Sequence, residues 1–184
     1  RYSMSDTMET LLTRRSYRSY TDQPVEKELL EKIAEAGTYA ATGMGKQAPF
    51  IVCITNTETR NKLEKMNGAV MGRPDAAPFY GAPYVYVVLV DKTASPTCIY
   101  DGALVLGNMM NAAAALGLGS CWIHRAKEEF AGEEGKALLV KWGLAKDLED
   151  AERFEGIGHL IVGYPAGEKP APRPRKEGYI TFVE

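Results

Sequence analysis

The chain is poor in the residues that hold metals or form covalent crosslinks. Its 184 residues include two histidines, His124 and His159, and three cysteines, Cys53, Cys98 and Cys121. The cysteines stand far apart and form no Cys-x-x-Cys pair. Neither a disulfide framework nor a zinc ribbon is expected, and a reducing, cytoplasmic setting is. No metal site is expected. There is no run of the roughly 20 apolar residues needed to span a bilayer, and no basic start leading into an apolar stretch of the secretory kind. Charge of one sign is also lacking: 22 Lys and Arg face 24 Asp and Glu, a formal net charge of −2. That balance gives no global field for nucleic acid, so any site for a polyanion must be local.

Several familiar motifs are missing as well. Gly43-x-Gly45-x-x-Ala48 has the spacing of a dinucleotide turn, but that turn works where a strand ends and a helix begins. Here the order is helix, loop, strand. Gly135-Lys136 looks like the end of a P-loop, yet Ala137 replaces the hydroxyl residue and the upstream glycine is misplaced. No Gly-x-Ser-x-Gly elbow occurs. Cys121 lies near His124, but in a strand-like run where burial makes a thiol inert.

What is present suits one domain over residues 1–184 with a full core, since 45% of the residues are hydrophobic. Arg1–Ser3, ahead of Met4, read as a cloning remnant. Residues 5–13 read as a short helix with Met8, Leu11 and Leu12 on one face. Pro24 opens a stronger one, with Val25, Leu29, Leu30, Ile33 and Ala34 as its apolar stripe. FIVCIT at 50–55 reads as a buried strand. Thr57 caps a short helix through Met66, on which Arg60 is expected at the surface. YVYVVLV at 84–90 reads as a strand, and IYDGALVLGNMMNAAAAL at 99–116 as a small-residue helix stopped by Gly117. CWI, HLIVGY and the terminal YITFV are strand-like. The strap from 165 onward is too proline-rich for regular structure. Alternating helices and strands predict a layered α/β/α domain with a mixed sheet.

The feature that asks for a ligand is TRRSYRSY, Thr13–Tyr20, which packs Arg14, Arg15 and Arg18 around Ser16. Standing alone, such a cluster reads as solvated charge complementing a helix dipole. A second cluster, Arg173, Arg175 and Lys176, lies on the strap. Between the two runs Gly117-Leu118-Gly119-Ser120-Cys121-Trp122-Ile123, where a flat ligand could approach the backbone. Two basic clusters suit a phosphate.

Together these segments resemble the nitroreductase family of FMN-dependent oxidoreductases. The likeness begins at Arg14-Arg15-Ser16-x-Arg18 and continues through Ala41-Thr42-Gly43-Met44-Gly45-Lys46-Gln47 and Gly81-Ala82-Pro83. It resumes from Asp101-Gly102-Ala103 to Ile123 and closes with Gly163-Tyr164-Pro165 and Arg173-Pro-Arg175. The resemblance implies an α+β, three-layer fold with a mixed, mainly antiparallel sheet. It implies non-covalent FMN, and ping-pong transfer of hydride from NADH or NADPH to a nitroaromatic, quinone or similar conjugated acceptor. The flavin N5 carries that chemistry, with no catalytic side chain.

By that likeness Arg14, Ser16 and Arg18 hold the FMN phosphate and ribityl end, Arg173 and Arg175 close on it, and Arg15 stands near the pyrimidine. Cys121, Trp122, Ile123, His124 and Arg125 lie by the ring. The loop with Ala41, Thr42, Gly43 and Gln47 comes, by the same likeness, from the partner of a homodimer. Independently of it, the stiff strap with Pro170, Pro172 and Pro174 is expected to let Tyr179–Val183 add a strand to the partner's sheet edge. The Ala112–Ala115 run beside Met109 and Met110 offers a close-packing helix face, for a partner or for the chain's own core. The chain departs from the family pattern at Gly45, where many members carry Asn, and at Ala48-Pro49-Phe50, where they carry Pro-Trp. It departs again at His124 and Arg125, where some carry Glu-Gly. Two other readings are an FMN carrier or sensor without turnover, and a specialised reaction such as reductive dehalogenation.

Overall fold

The YVYVVLV run puts β-branched and aromatic residues on both faces of a strand, and that strand becomes the centre of the molecule. It is β2 (Tyr84–Asp91), and every residue from Val85 to Val90 is buried. In the computed structural model residues 4–184 are described, with side chains from Asp6 onward; the expected cloning remnant lies outside the described residues. β1 (Pro49–Ile54) and β4 (Phe154–Gly163) flank β2, and β3 (Gly119–Ile123) pairs with β4, giving the order β1-β2-β4-β3. All three pairings are antiparallel. The parallel contribution is an isolated bridge between Ser16 and Ser120.

Side-chain alternation along β2 and β4 sorts the core into two halves. Val85, Val87, Leu89 and Ile161 pack with α3 (Thr57–Val70), α5 (Ala126–Ala131) and α6 (Glu133–Lys141). Tyr86, Val88, Val90, Leu160 and Val162 pack with α2 (Lys27–Thr38) and α4 (Cys98–Ala115). This is the expected three-layer α+β arrangement. A short α1 (Met4–Thr13) precedes it. The small residues of the α2–α4 contact serve the chain's own core: a Cβ at Gly37 would stand 2.8 Å from Met109 Cγ. The two helices therefore pack at close range.

Four expectations are corrected. FIVCIT is the edge strand rather than a buried one. Among the described residues no strand lies beyond β1, where Phe50 and Cys53 are exposed and Ile54 is buried. The cap of α3 is Asn56, whose side chain accepts from Thr59 N–H at 2.8 Å, and the helix runs to Val70. Arg60 is not a surface residue: the turns after α3 fold back over it. Its Nε donates to the Ala82 carbonyl at 2.9 Å, and its guanidinium pairs with Glu64. Helices α5 and α6, each short, add to the expected elements. They meet at Gly132, and Gly135 is pressed so tightly against the Glu129 carbonyl that a Cβ would stand 2.1 Å from it. Residues 179–183 form no strand within this chain and are exposed.

Candidate functional site

After α1 the chain runs extended along the free edge of β3. Tyr17 N–H donates to the Ser120 carbonyl at 3.0 Å, Thr21 N–H to the Tyr164 carbonyl at 2.9 Å, and Ala166 N–H to the Ser19 carbonyl at 3.0 Å. The approach is close at Gly119, where a Cβ would meet both the Tyr17 ring and Pro165 at 3.2 Å. The Tyr20 hydroxyl donates to the Tyr17 carbonyl at 2.8 Å. Burial pushes its pKa up, so it remains a neutral donor.

This path distributes the basic cluster between two places. Arg14 and Arg15 line a hollow of about 130 Å3 with Tyr17, Ala114, Gly117, Leu118, Ser120, Pro165 and Lys169. Arg15 Nη1 is held by the Leu12 and Arg14 carbonyls, at 3.1 and 2.7 Å. Arg14 Nη1 and Arg15 Nε are buried with no hydrogen-bond partner. Buried donors without acceptors are rare and costly. These belong to two guanidiniums, and an anion satisfies both the charge and the hydrogens. Ser16 sits in the bridge and lines neither this hollow nor the next.

Arg18 turns to the other side, into a cavity of about 430 Å3 at the C-terminal end of β3. Cys121, Trp122, Ile123, His124 and Arg125 line it from the strand, and Arg73, Pro78 and Tyr80 from the turns after α3. Cys121 and Ile123 are buried, while His124 is exposed. The strand ends abruptly because Arg125 adopts φ +80°, a left-handed conformation that side chains other than glycine rarely take. A buried chain of hydrogen bonds holds it there. Arg125 Nε donates to Asn67 Oδ1 at 2.9 Å, and Asn67 Nδ2 donates to the His124 carbonyl at 2.8 Å and to Glu129 Oε2 at 2.9 Å. His159 Nε2 completes it at 2.7 Å from the same Glu129 oxygen.

The loop residues stand apart from both places. Thr42 and Gln47 line a third hollow, of about 360 Å3, between α2 and β1. Gly43 N–H donates to the buried Asp101 carboxylate at 3.1 Å, and Thr97 Oγ1 donates to the same carboxylate at 3.1 Å. Ala41 is exposed and lines none of the three. Arg173 and Arg175 are exposed, with Arg175 turned back onto the Arg173 carbonyl at 2.7 Å. Lys169 is the strap residue beside Arg14. Within one chain, then, the residues singled out from the sequence fall into separate groups. Arg73, Lys169, Asn67, Glu129 and His159 join them without having been singled out. Among the described residues, no group of three His, Cys, Asp or Glu side chains could hold a metal, and no helix is long and apolar enough to cross a membrane.

Comparison with known proteins decides what these features belong to. The model of the nitroreductase family matches residues 11–164, from the approach to the arginine cluster to the end of β4. The chain belongs to the nitroreductase family. Among curated relatives of this nitroreductase-family chain, an NADPH-flavin oxidoreductase of Vibrio harveyi is 30% identical, over 98% of this chain and 74% of its own. Among solved structures, a nitroreductase with bound FMN from Bacteroides fragilis superposes with TM-score 0.85 at 28% identity, covering 97% of this chain and 98% of its own. Another nitroreductase with bound FMN, from Desulfitobacterium hafniense, gives TM-score 0.79 at 25% identity, covering 99% and 100%. The three-layer nitroreductase fold therefore extends through nearly the whole chain.

Proposed function

We propose that this nitroreductase-family protein is an FMN-dependent oxidoreductase. In this reading it takes hydride from NADH or NADPH and, in a separate half-reaction, delivers it to a nitroaromatic, quinone or similar conjugated acceptor. The observation that carries the reading is the pair of buried, unpartnered donors, Arg14 Nη1 and Arg15 Nε, in a hollow with Lys169. They fit the phosphate of FMN, and relatives that carry FMN share the fold. When bound, FMN supplies a centre that accepts and returns a hydride.

The chain's own residues bind, orient and shield. Arg14 and Arg15 would hold the phosphate, with Lys169 beside them from the strap. Ser16, Arg173 and Arg175, which lie outside this hollow, would join it only by moving. The expected places of Arg15 and Arg18 are exchanged in this reading. Arg15 shares the hollow with Arg14, and Arg18, in the cavity at the end of β3, would stand at the pyrimidine side, where a cation favours the charge gained on reduction. Cys121, Trp122, Ile123, His124 and Arg125, which line the cavity at the end of β3, would border the ring. Ala41, Thr42, Gly43 and Gln47 serve the partner's site in a homodimer. That assignment rests on their separation from the arginines within one chain. It also rests on exposed apolar residues around the Gly43–Asp101 contact: Tyr39, Met44, Tyr100 and Leu104. The free cysteines suit the cytoplasm.

The test is direct. Heating the purified yellow protein should release FMN, identified by chromatography. NADH or NADPH should bleach the flavin in stopped flow, and light scattering should give twice the chain mass. Recovery of FAD, or no flavin uptake on reconstitution, would sink the proposal.

A further inference from the structure

We propose that the cavity at the end of β3 selects an anionic acceptor, an aromatic molecule carrying a carboxylate or phosphate, through Arg73 and Arg125. This rests on the reading of the protein as an FMN-dependent reductase and adds the chemical class of its substrate. Three arginines line the cavity, Arg18, Arg73 and Arg125, and no Asp or Glu does. None of the three forms an ion pair among the described residues, in contrast to Arg60 and Arg153. Reduction of a flavin ring adds a single negative charge, which one guanidinium can meet. Two cations are left over, and mutual repulsion makes them unfavourable neighbours until an anion joins them.

The two are also placed deliberately. Arg125 occupies a left-handed backbone conformation, φ +80°, that glycine would adopt without cost. Strain of this kind persists where surrounding structure over-determines it, and it clusters at functional sites. Here Asn67 grips the guanidinium through Nε and the preceding carbonyl through Nδ2. Glu129 and His159, both wholly buried, fix Asn67 from behind. The remaining guanidinium nitrogens of Arg125 are left for a ligand. Arg73 is set by the turn after α3, its N–H donating to Gly68 and its carbonyl accepting from Ala76, each at 2.9 Å. Tyr80 lines the same cavity and carries the Arg18 guanidinium over its ring, 6.0 Å from the centroid.

The experiment compares 4-nitrobenzoate with its neutral isostere 4-nitrobenzamide on the FMN-loaded protein. In each, the hydride from NAD(P)H and one solvent proton convert the nitro group to nitroso and release water. We expect kcat/KM to favour the anion by about tenfold or more at low salt, as charge-assisted hydrogen bonds allow, and the preference to shrink as salt screens it. Arg73→Ala, at an exposed turn, and Arg125→Asn, which tolerates the left-handed conformation, should each bring the ratio towards one. Calorimetry of benzoate and benzamide binding to the oxidised protein gives the same comparison without turnover. Equal kcat/KM and equal affinities overturn the proposal. So does a loss in the variants confined to NADPH against NADH, which would assign the cations to the donor's phosphate. Absence of flavin uptake or hydride transfer overturns the functional reading instead, and the calorimetric comparison then decides the anion site by itself.

Discussion

His159 Nε2 lies 2.7 Å from Glu129 Oε2, and neither side chain reaches solvent. The pair sits behind the end of β3 and bears on the site through Asn67. Removing His159 leaves Glu129 buried with the Asn67 hydrogen bond alone, which costs about 1–3 kcal/mol. His159→Leu should therefore lower urea stability by about that amount. The double variant His159→Leu/Glu129→Leu should be more stable than His159→Leu alone, since both buried polar groups are gone. Simple addition of two losses would show that the two side chains act independently.

If Arg14 holds the FMN phosphate as proposed, Arg14→Ala removes a charge-assisted contact worth about 1.5–3 kcal/mol. FMN affinity should fall roughly ten- to a hundredfold, read by fluorescence titration of the apoprotein. Lys65→Ala, at an exposed position of α3, is the control and should leave affinity unchanged. Arg60 cannot serve, because its removal would strip Glu64 of its partner and lower stability on its own account. Equal losses at 14 and 65 would refute the phosphate assignment.

Gly43 has no room for a side chain. A Cβ there would stand 2.0 Å from Thr97 Oγ1, which is tied to Ser95 at 2.9 Å and to Asp101 at 3.1 Å. Gly43→Ala should push the 42–47 loop off α4 at a cost of about 1–3 kcal/mol. If the loop serves the partner's site, dimerisation and FMN binding weaken together in sedimentation and titration. Adding Thr97→Ala clears most of the clash and should restore part of both. A Gly43→Ala protein with unaltered affinity and mass would remove the loop from the interface.

Burial pushes the Asp91 carboxyl up, but hydrogen bonds from Thr93 and the Arg153 guanidinium outweigh it and hold the pKa below the usual carboxylate range. A depressed folded pKa contributes stability that is fully present above the unfolded value, about 3.9. That contribution is lost as pH falls from there through the folded value. Asp91→Asn should thus be less stable than the parent at pH 7, and the gap should close in acid. Denaturant midpoints of both proteins between pH 7 and 3 would show it. A gap that stays constant would mean that Asp91 acts through packing alone.

Much of the layered core was legible because its signals are local. The alternation of YVYVVLV and the stripe through Leu30 and Ile33 are set by neighbours in sequence. The edge position of β1 was not, since FIVCIT reads equally apolar with one neighbouring strand or two. Arg60 reads as a polar letter on a polar helix, and only the return of Ala82, 22 residues on, buries it. The same distinction divides the site. Arg14, Arg15 and Arg18 announce themselves by crowding. Arg73 lies in a stretch without a period. Asn67 and Glu129, 62 residues apart, have no shared signature at all.

The bridge between Ser16 and Ser120 covers the outer edge of β3, the last strand of the sheet. An open edge is where a sheet recruits strands from other molecules. Here the covering segment is the one that carries Arg14 and Arg15, whose neighbouring charges an anion in their shared hollow would offset. Grip on the ligand and containment of the sheet are then one task given to one stretch of chain. A cell short of the ligand should find this protein clumping, and clumping from that edge first.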